Sequence, residues 1–414
     1  MTLAEVKING SIFSRDSTFL GVGERQCYNL RRGCYSKKGE MRTLKMCYKI
    51  ISVVIPLLTL VACATTALKK GSGQEIVLDE PLLRQSDYID IVYEDGSFSY
   101  VSYLTRADLA EDGKKPLCNV GVQEPASNST GIWLWDFRRV QGQEQEIMER
   151  LSRAHIKKVY IQISGDLEVF RPFLQRAREQ AITVFALDGS PAYIDDYRIL
   201  IEDVKKIREF NHVHPDTVFA GLQVDVEPYL KKDFNLRKNY YVRHYLTMAQ
   251  ELRRSAGEEI KLSFALPFWF DKLVVDEKPL SFQIIDIADE VVIMSYRTNY
   301  QELLDIASSE LCYASTVGKP IFLGLELNKL PDEEHFIMDK AKVLGFSIPT
   351  QDKRIFLKDR PDDLPVLRRY QVRSEKITFF QKKDRLPALM ATSPPFRSFS
   401  GYVIHSYEGL YESR

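Results

Sequence analysis

From Gly131 onward the chain keeps one rhythm: a short apolar run, a turn, a helical stretch, then the next apolar run. The runs fall at 132–136, 158–164, 182–188, 219–229, 261–267, 290–296, 320–328 and 401–407. Helical periodicity fills 144–155, 167–180, 195–210, 240–256 and 300–314 between them. Strands that alternate with helices run parallel, because each helix returns the chain to the starting edge of the sheet. About eight such units predict closure into a cylinder. The expected fold class is α/β: a (β/α)8 TIM barrel with an N-terminal β-hairpin segment and an insertion between strands 7 and 8.

The fourth run, Phe-Ala-Gly-Leu-Gln-Val-Asp-Val-Glu-Pro-Tyr over 219–229, is the most informative. Side chains alternate across a strand, so Gln223, Asp225 and Glu227 share one face and Leu222, Val224 and Val226 the other. The apolar face suits a cover of helices. The polar face does not suit a core, since burying unpaired carboxylates costs several kcal/mol per ion. Active sites of such barrels lie at the C-terminal strand ends. There the first strand is expected to bring Trp133, Trp135 and Asp136, the third Asp188, and the fourth Asp225 and Glu227. The fifth brings Phe268, Trp269 and Phe270, the sixth Tyr296 and Arg297, the seventh Glu326 and Asn328, the eighth His405 and Tyr407. Flat aromatic faces beside carboxylates are what a carbohydrate site needs, the first for sugar rings and the second for the glycosidic oxygen. Trp133 reads equally well as core.

Lys plus Arg number 57 and Asp plus Glu 57, so no basic field argues for nucleic acid, and no nucleic-acid partner is expected. None of the six cysteines (Cys27, Cys34, Cys47, Cys63, Cys118, Cys312) falls in a CxxC pair, and neither a metal site nor a cofactor is expected. His212 and His214 precede the fourth strand and read as loop residues. No glycine-rich phosphate loop or serine elbow is present.

Residues 1–40 show no period and are expected to be disordered or a start-site artefact, with translation beginning at Met41 or Met46. Residues 41–63 combine a basic run, the apolar run 50–62 and small residues before a cut site, the layout of a secretory signal. Residues 50–68 read alternatively as an uncleaved anchor, nearly long enough to span a bilayer. Residues 64–130 are expected to be a tether followed by a hairpin, two alternating strands around Glu94-Asp95-Gly96-Ser97. The barrel is expected over 131–414. Its insertion at 329–400 is read as a lid or small subdomain, with a helix over 332–344 and strands over 354–357 and 376–380. Cys118 and Cys312 could pair.

Three short motifs resemble known patterns. Leu60-Val61-Ala62-Cys63 is similar to the bacterial lipobox, which implies a lipid-modified Cys63 and a protein anchored to a membrane of the bacterial cell envelope. The stretch 219–227 resembles the fourth strand of family 18 glycoside hydrolases, Asp-x-x-Asp-x-Asp-x-Glu, and Met294-Ser295-Tyr296 resembles that family's Met-x-Tyr. The resemblance implies a glycoside hydrolase acting on a polysaccharide. Glu227 would be the general acid, with Asp225 orienting an acetamido group whose oxygen attacks, and Tyr296 bonding that group. Trp135, Asp136, Asp188, Trp269, Arg297, Glu326, His405 and Tyr407 would line the substrate. Ala220, Gln223, Val226 and Arg297 depart from the family pattern. The departures leave a carbohydrate-binding lipoprotein without turnover as the alternative. A second scheme pairs Glu227 with Glu326 on the seventh strand as nucleophile, or makes Glu326 a structural residue bonded to an arginine.

Overall fold

The computed structural model describes residues 80–109, 129–136, 141–342 and 366–411, with single short pieces at 75–76, 78, 138, 348–349 and 355–356. The signal segment 41–63 with Cys63, the anchor reading of 50–68, and Cys118 lie outside the described residues. Cys312 is disulfide-bonded. Among the described residues no helix is long and apolar enough to cross a membrane.

A short helix α1 (Glu80–Gln85) leads into the hairpin β1 (Tyr88–Glu94) and β2 (Ser97–Leu104). The barrel strands follow: β3 (Ser129–Leu134), β4 (Ile156–Gln162), β5 (Thr183–Asp188), β6 (Gly221–Val224), β7 (Lys261–Pro267), β8 (Glu290–Met294) and β9 (Ile321–Glu326). Strands β10 (Glu333–Asp339) and β11 (Val366–Val372) belong to the insertion, and β12 (Phe399–His405) completes the barrel. The eight barrel strands close in the order β3-β4-β5-β6-β7-β8-β9-β12, all parallel, with β12 pairing back onto β3. The expected (β/α)8 TIM barrel is what the chain forms.

Both faces of each barrel strand are covered, which explains the near-continuous apolar runs. Outward residues such as Ile132, Val184, Leu222, Phe264 and Ile293 join the core shared with the helices. Helix α2 (Glu144–Arg153) offers Ile147, Met148 and Leu151, and helix α4 (Arg198–Val213) offers Leu200, Val204, Ile207 and Phe210. In α4 these fall three or four residues apart, and in α2 at i, i+1 and i+4, in each case one stripe of a helix. Inward residues form a separate cluster: Trp133, Tyr160, Phe185, Leu187, Ala265, Val292, Phe322 and Val403. Glu290 closes the barrel floor by accepting from the Tyr160 hydroxyl at 2.6 Å and pairing with Lys158.

The hairpin and the insertion are not separate pieces. They form one antiparallel sheet in the order β11-β10-β1-β2, in which Phe336 pairs with Ile91 and Arg369. One face of this sheet carries Ile89, Ile91, Tyr93, Phe336 and Met338 onto Leu83 of α1. Val372 and the partly buried Tyr370 pack with Leu330 and Ile377 against Met294 and Tyr296, at the C-terminal rim of the barrel. Two expectations for the insertion are corrected. Most of the helix read over 332–344 is strand β10, with helix only at 340–342, because 333–339 find extended partners more than two hundred positions earlier, out of reach of any local period. The strand read over 376–380 is a turn of 3-10 helix, Ser374–Lys376, followed by a single bridge from Thr378 to Glu326. Of the piece at 354–357, Ile355–Phe356 is a strand beside Glu75–Ile76 and Ile348–Pro349.

Candidate active site

Alternation in β6 puts Gln223 inside the barrel. Gln223 accepts a hydrogen bond from the Trp133 indole and donates to the Ser263 hydroxyl at 3.0 Å, so it ties three strands together below the mouth. Asp225 and Glu227 continue that face past the end of the strand. Gly189, after β5, makes this possible: a Cβ there would lie 1.9 Å from the Asp225 carbonyl oxygen. The Asp225 N–H donates to the Asp188 carbonyl at 3.1 Å, which fixes the backbone that carries the acid pair.

Asp225 and Glu227 are half-buried at the mouth, with their carboxyls enclosed by protein. Burial is the main force pushing both upward from the ordinary carboxylate range, Asp225 furthest, with the charge of Glu227 adding to the rise on Asp225. Tyr229 lies two positions beyond Glu227 and donates its hydroxyl to it, which draws Glu227 back toward ionisation. The pair behaves as one unit that retains a proton above the usual range. Asp225 Oδ1 is buried without a hydrogen-bond partner.

Across the barrel His405 completes the floor of the mouth. Its Nδ1 lies 2.6 Å from Glu326 Oε2, and the other Glu326 oxygen accepts the Asn328 N–H at 2.7 Å. Tyr296 stacks on the imidazole at 5.9 Å between centroids, while Trp133 and Trp135 meet it edge-on at 5.6 and 6.2 Å. Tyr296 approaches so closely because Gly324 lies beneath it; a Cβ at that position would stand 3.1 Å from the ring. Burial pulls the imidazole down, but Glu326, Asp225 and Glu408 outweigh it and raise His405 above the ordinary histidine value.

Asp225, Glu227, Tyr296, His405, Glu326 and Trp135 therefore share the mouth, while Asp188, Tyr407, Trp269 and Arg297 are spent on protein contacts. Asp188 follows Leu187, which faces inward, so it turns toward the helices, and burial beside the acid Asp203 of α4 pushes it up to about 7. Tyr407 turns outward onto the helix layer, where its hydroxyl accepts from Arg150 at 3.3 Å. Trp269 is buried among Tyr229, Phe234 and Phe270, leaving no open face for a sugar. Arg297 is buried over the Phe268 ring and donates to the Tyr296 carbonyl. Asp136 sits at the rim, forked by Arg138. Glu326 is 1% exposed with both oxygens engaged, one by His405 and the other by the Asn328 N–H, so its partner is a histidine and not the arginine expected. Tyr229 was not anticipated, although the same two-residue alternation continued past Glu227 points to it.

Among the described residues no group of three or more His, Cys, Asp or Glu side chains is arranged to hold a metal ion. No family model matches the chain, and no curated protein matches it. Among solved structures it is similar to a spore cortex-lytic enzyme, SleL, of Bacillus cereus, with 10% identity, 68% of this chain and 72% of that one covered, and a TM-score of 0.37. It is also similar to a chitinase from Chromobacterium violaceum (12%, 69% and 100%, 0.37). A third is a family 18 chitinase mutant from Cycas revoluta in complex with (GlcNAc)4 (12%, 68% and 95%, 0.38). Likeness of this size carries no argument about chemistry.

Proposed function

We propose that the chain is a glycoside hydrolase acting on a polysaccharide, with Glu227 as the general acid and Asp225 as its partner. One observation carries this reading: two carboxyls on a single face at the C-terminal mouth of the barrel, kept partly protonated by burial beside Tyr229, Tyr296 and His405. A general acid works best when its pKa approaches the working pH, and enclosure supplies that rise. Glu227 gives its proton to the leaving glycosidic oxygen. Asp225, with one oxygen buried and unpaired, is left to meet a donor on the substrate. Trp135, partly exposed at the rim, offers an aromatic edge to the sugar.

The protein is proposed to be anchored in the bacterial envelope through Cys63. The Leu-Val-Ala-Cys run supports this, as does the disulfide at Cys312, since such bonds persist in oxidising compartments. A carbohydrate-binding barrel without turnover is the second reading. It is favoured by Gln223, which stands where the resembled family has an acid and is committed to Trp133 and Ser263. The purified full chain decides between them when tested for hydrolysis of, and binding to, chitin oligomers and peptidoglycan, with Glu227→Gln alongside. Hydrolysis lost in that variant supports the enzyme. Binding without hydrolysis in either protein supports the second reading.

A further inference from the structure

The acid pair stands in a mouth rich in negative charge. Asp225 and Glu227 come from the end of β6, Glu326 from β9 and Glu408 from α9 (Tyr407–Tyr411). In the barrel order β12 lies opposite β6, and His405 is its last residue. The geometry fixes the ring from several sides. Glu326 holds Nδ1, the Asn328 N–H holds Glu326, Tyr296 lies over the ring, and Trp133 and Trp135 close its edges. Trp133 also reaches Gln223, one step below Asp225 on the same face. The indole thus places the imidazole and the acid pair in neighbouring layers of the barrel interior. A buried carboxylate so engaged favours the protonated ring, because it accepts a proton from nitrogen and offers a compensating charge.

We propose that His405, clamped by Glu326, is a positioning residue whose imidazolium is the counter-charge for the Asp225–Glu227 pair across the barrel. The inference rests on reading those two residues as the acid pair. Two carboxyls in an enclosed site without a cation would both keep their protons, giving an acid with no carboxylate to work beside it. A cation lets one ionise while the other stays protonated, and His405 is the positive group that acts on both Asp225 and Glu227. Glu326, Asn328, Tyr296 and the two tryptophans touch the ring, Asp225 and Glu408 raise it through their charge, and the ring in turn lowers Glu227.

The test is a carboxyl carbon NMR titration of the full chain with labelled Asp and Glu, in the unaltered protein and in His405→Gln and Glu326→Gln. The first proton is expected to leave the Asp225–Glu227 pair about one pH unit higher in His405→Gln, with a smaller rise in Glu326→Gln. Activity lost on the acid side should move up by the same interval. An unmoved carboxyl titration in a folded His405→Gln protein overturns the proposal. Should that variant not fold, the ring nitrogens of His405 in the unaltered protein decide: the imidazole must stay protonated while the pair loses its first proton, and a neutral ring over that range overturns it. A shifted titration with no hydrolysis of chitin oligomers in any protein would instead remove the glycosidase reading and leave the charge pairing standing.

Discussion

Two histidines of this chain stand between carboxylates, one in the accessory sheet and one at the barrel mouth. His335 in β10 donates from Nδ1 to Asp90 at 2.9 Å and from Nε2 to Glu333 at 3.0 Å, and Tyr370 stacks on it at 4.4 Å with the rings 5° from parallel. It is fully buried; burial pulls it down, yet the two bonds hold it at about 9. Both nitrogens are consumed by strands that must stay paired, so the ring works as a rivet between β1 and β10. His405 spends Nδ1 on one carboxylate, and the other acids it influences lie across a partly accessible mouth. The same residue types serve cohesion where acids bond both ring nitrogens, and leave a charge facing the mouth where only one nitrogen is bonded to an acid.

The contrast breaks most severely at Glu227. Glu227→Gln should cut hydrolysis of a responsive oligosaccharide by about 10²–10⁴-fold while leaving the melting temperature nearly unchanged, as read by initial rates and calorimetry. His335→Gln should do the reverse. Leaving Asp90 and Glu333 buried beside a neutral group should cost about 3–5 kcal/mol, read by denaturant unfolding, with little change in rate per folded molecule. The pH dependence has a definite sign. A histidine held at about 9 in the folded protein and near its ordinary 6.5 when unfolded stabilises fully below that lower value. That stability should drain away as pH rises toward 9, and melts between pH 6 and 10 should show the decline in the unaltered protein and a flatter course in the variant. Tyr229→Phe should act on the mouth alone. Losing the hydroxyl that favours ionised Glu227 should move the alkaline limb of activity upward by about one pH unit or less. Asp203→Asn should have the smallest effect. Asp188, held at about 7, costs stability that accumulates between the ordinary carboxylate value and pH 7, and relieving it should raise the melt at pH 8 relative to pH 5 by about two degrees or less.

The barrel was legible because helix and strand periods are local, and each of the eight expected runs overlaps a barrel strand. Which face a strand-end residue takes was legible only where the strand is polar on one side, as in 223–227. In 182–188 both faces are apolar, so nothing in the run showed that Asp188 would turn toward the helices. Trp269 follows its strand in a turn and Tyr407 opens a helix, and the packing of both depends on residues distant in sequence. The sheet that joins hairpin and insertion was illegible for the same reason: Asp90 and His335 are 245 positions apart, and no short window contains both.

Strand β1 lies between β2 and β10, so the segment ahead of Tyr88 leads into the middle of a sheet and not to its edge. Tension applied to that segment is loaded lengthwise onto two ladders of backbone hydrogen bonds, with the His335 bridge as a crosspiece. The load then passes along β10 to Glu326 and Tyr296, which reaches the rim around the acid pair before it reaches the eightfold cylinder behind it.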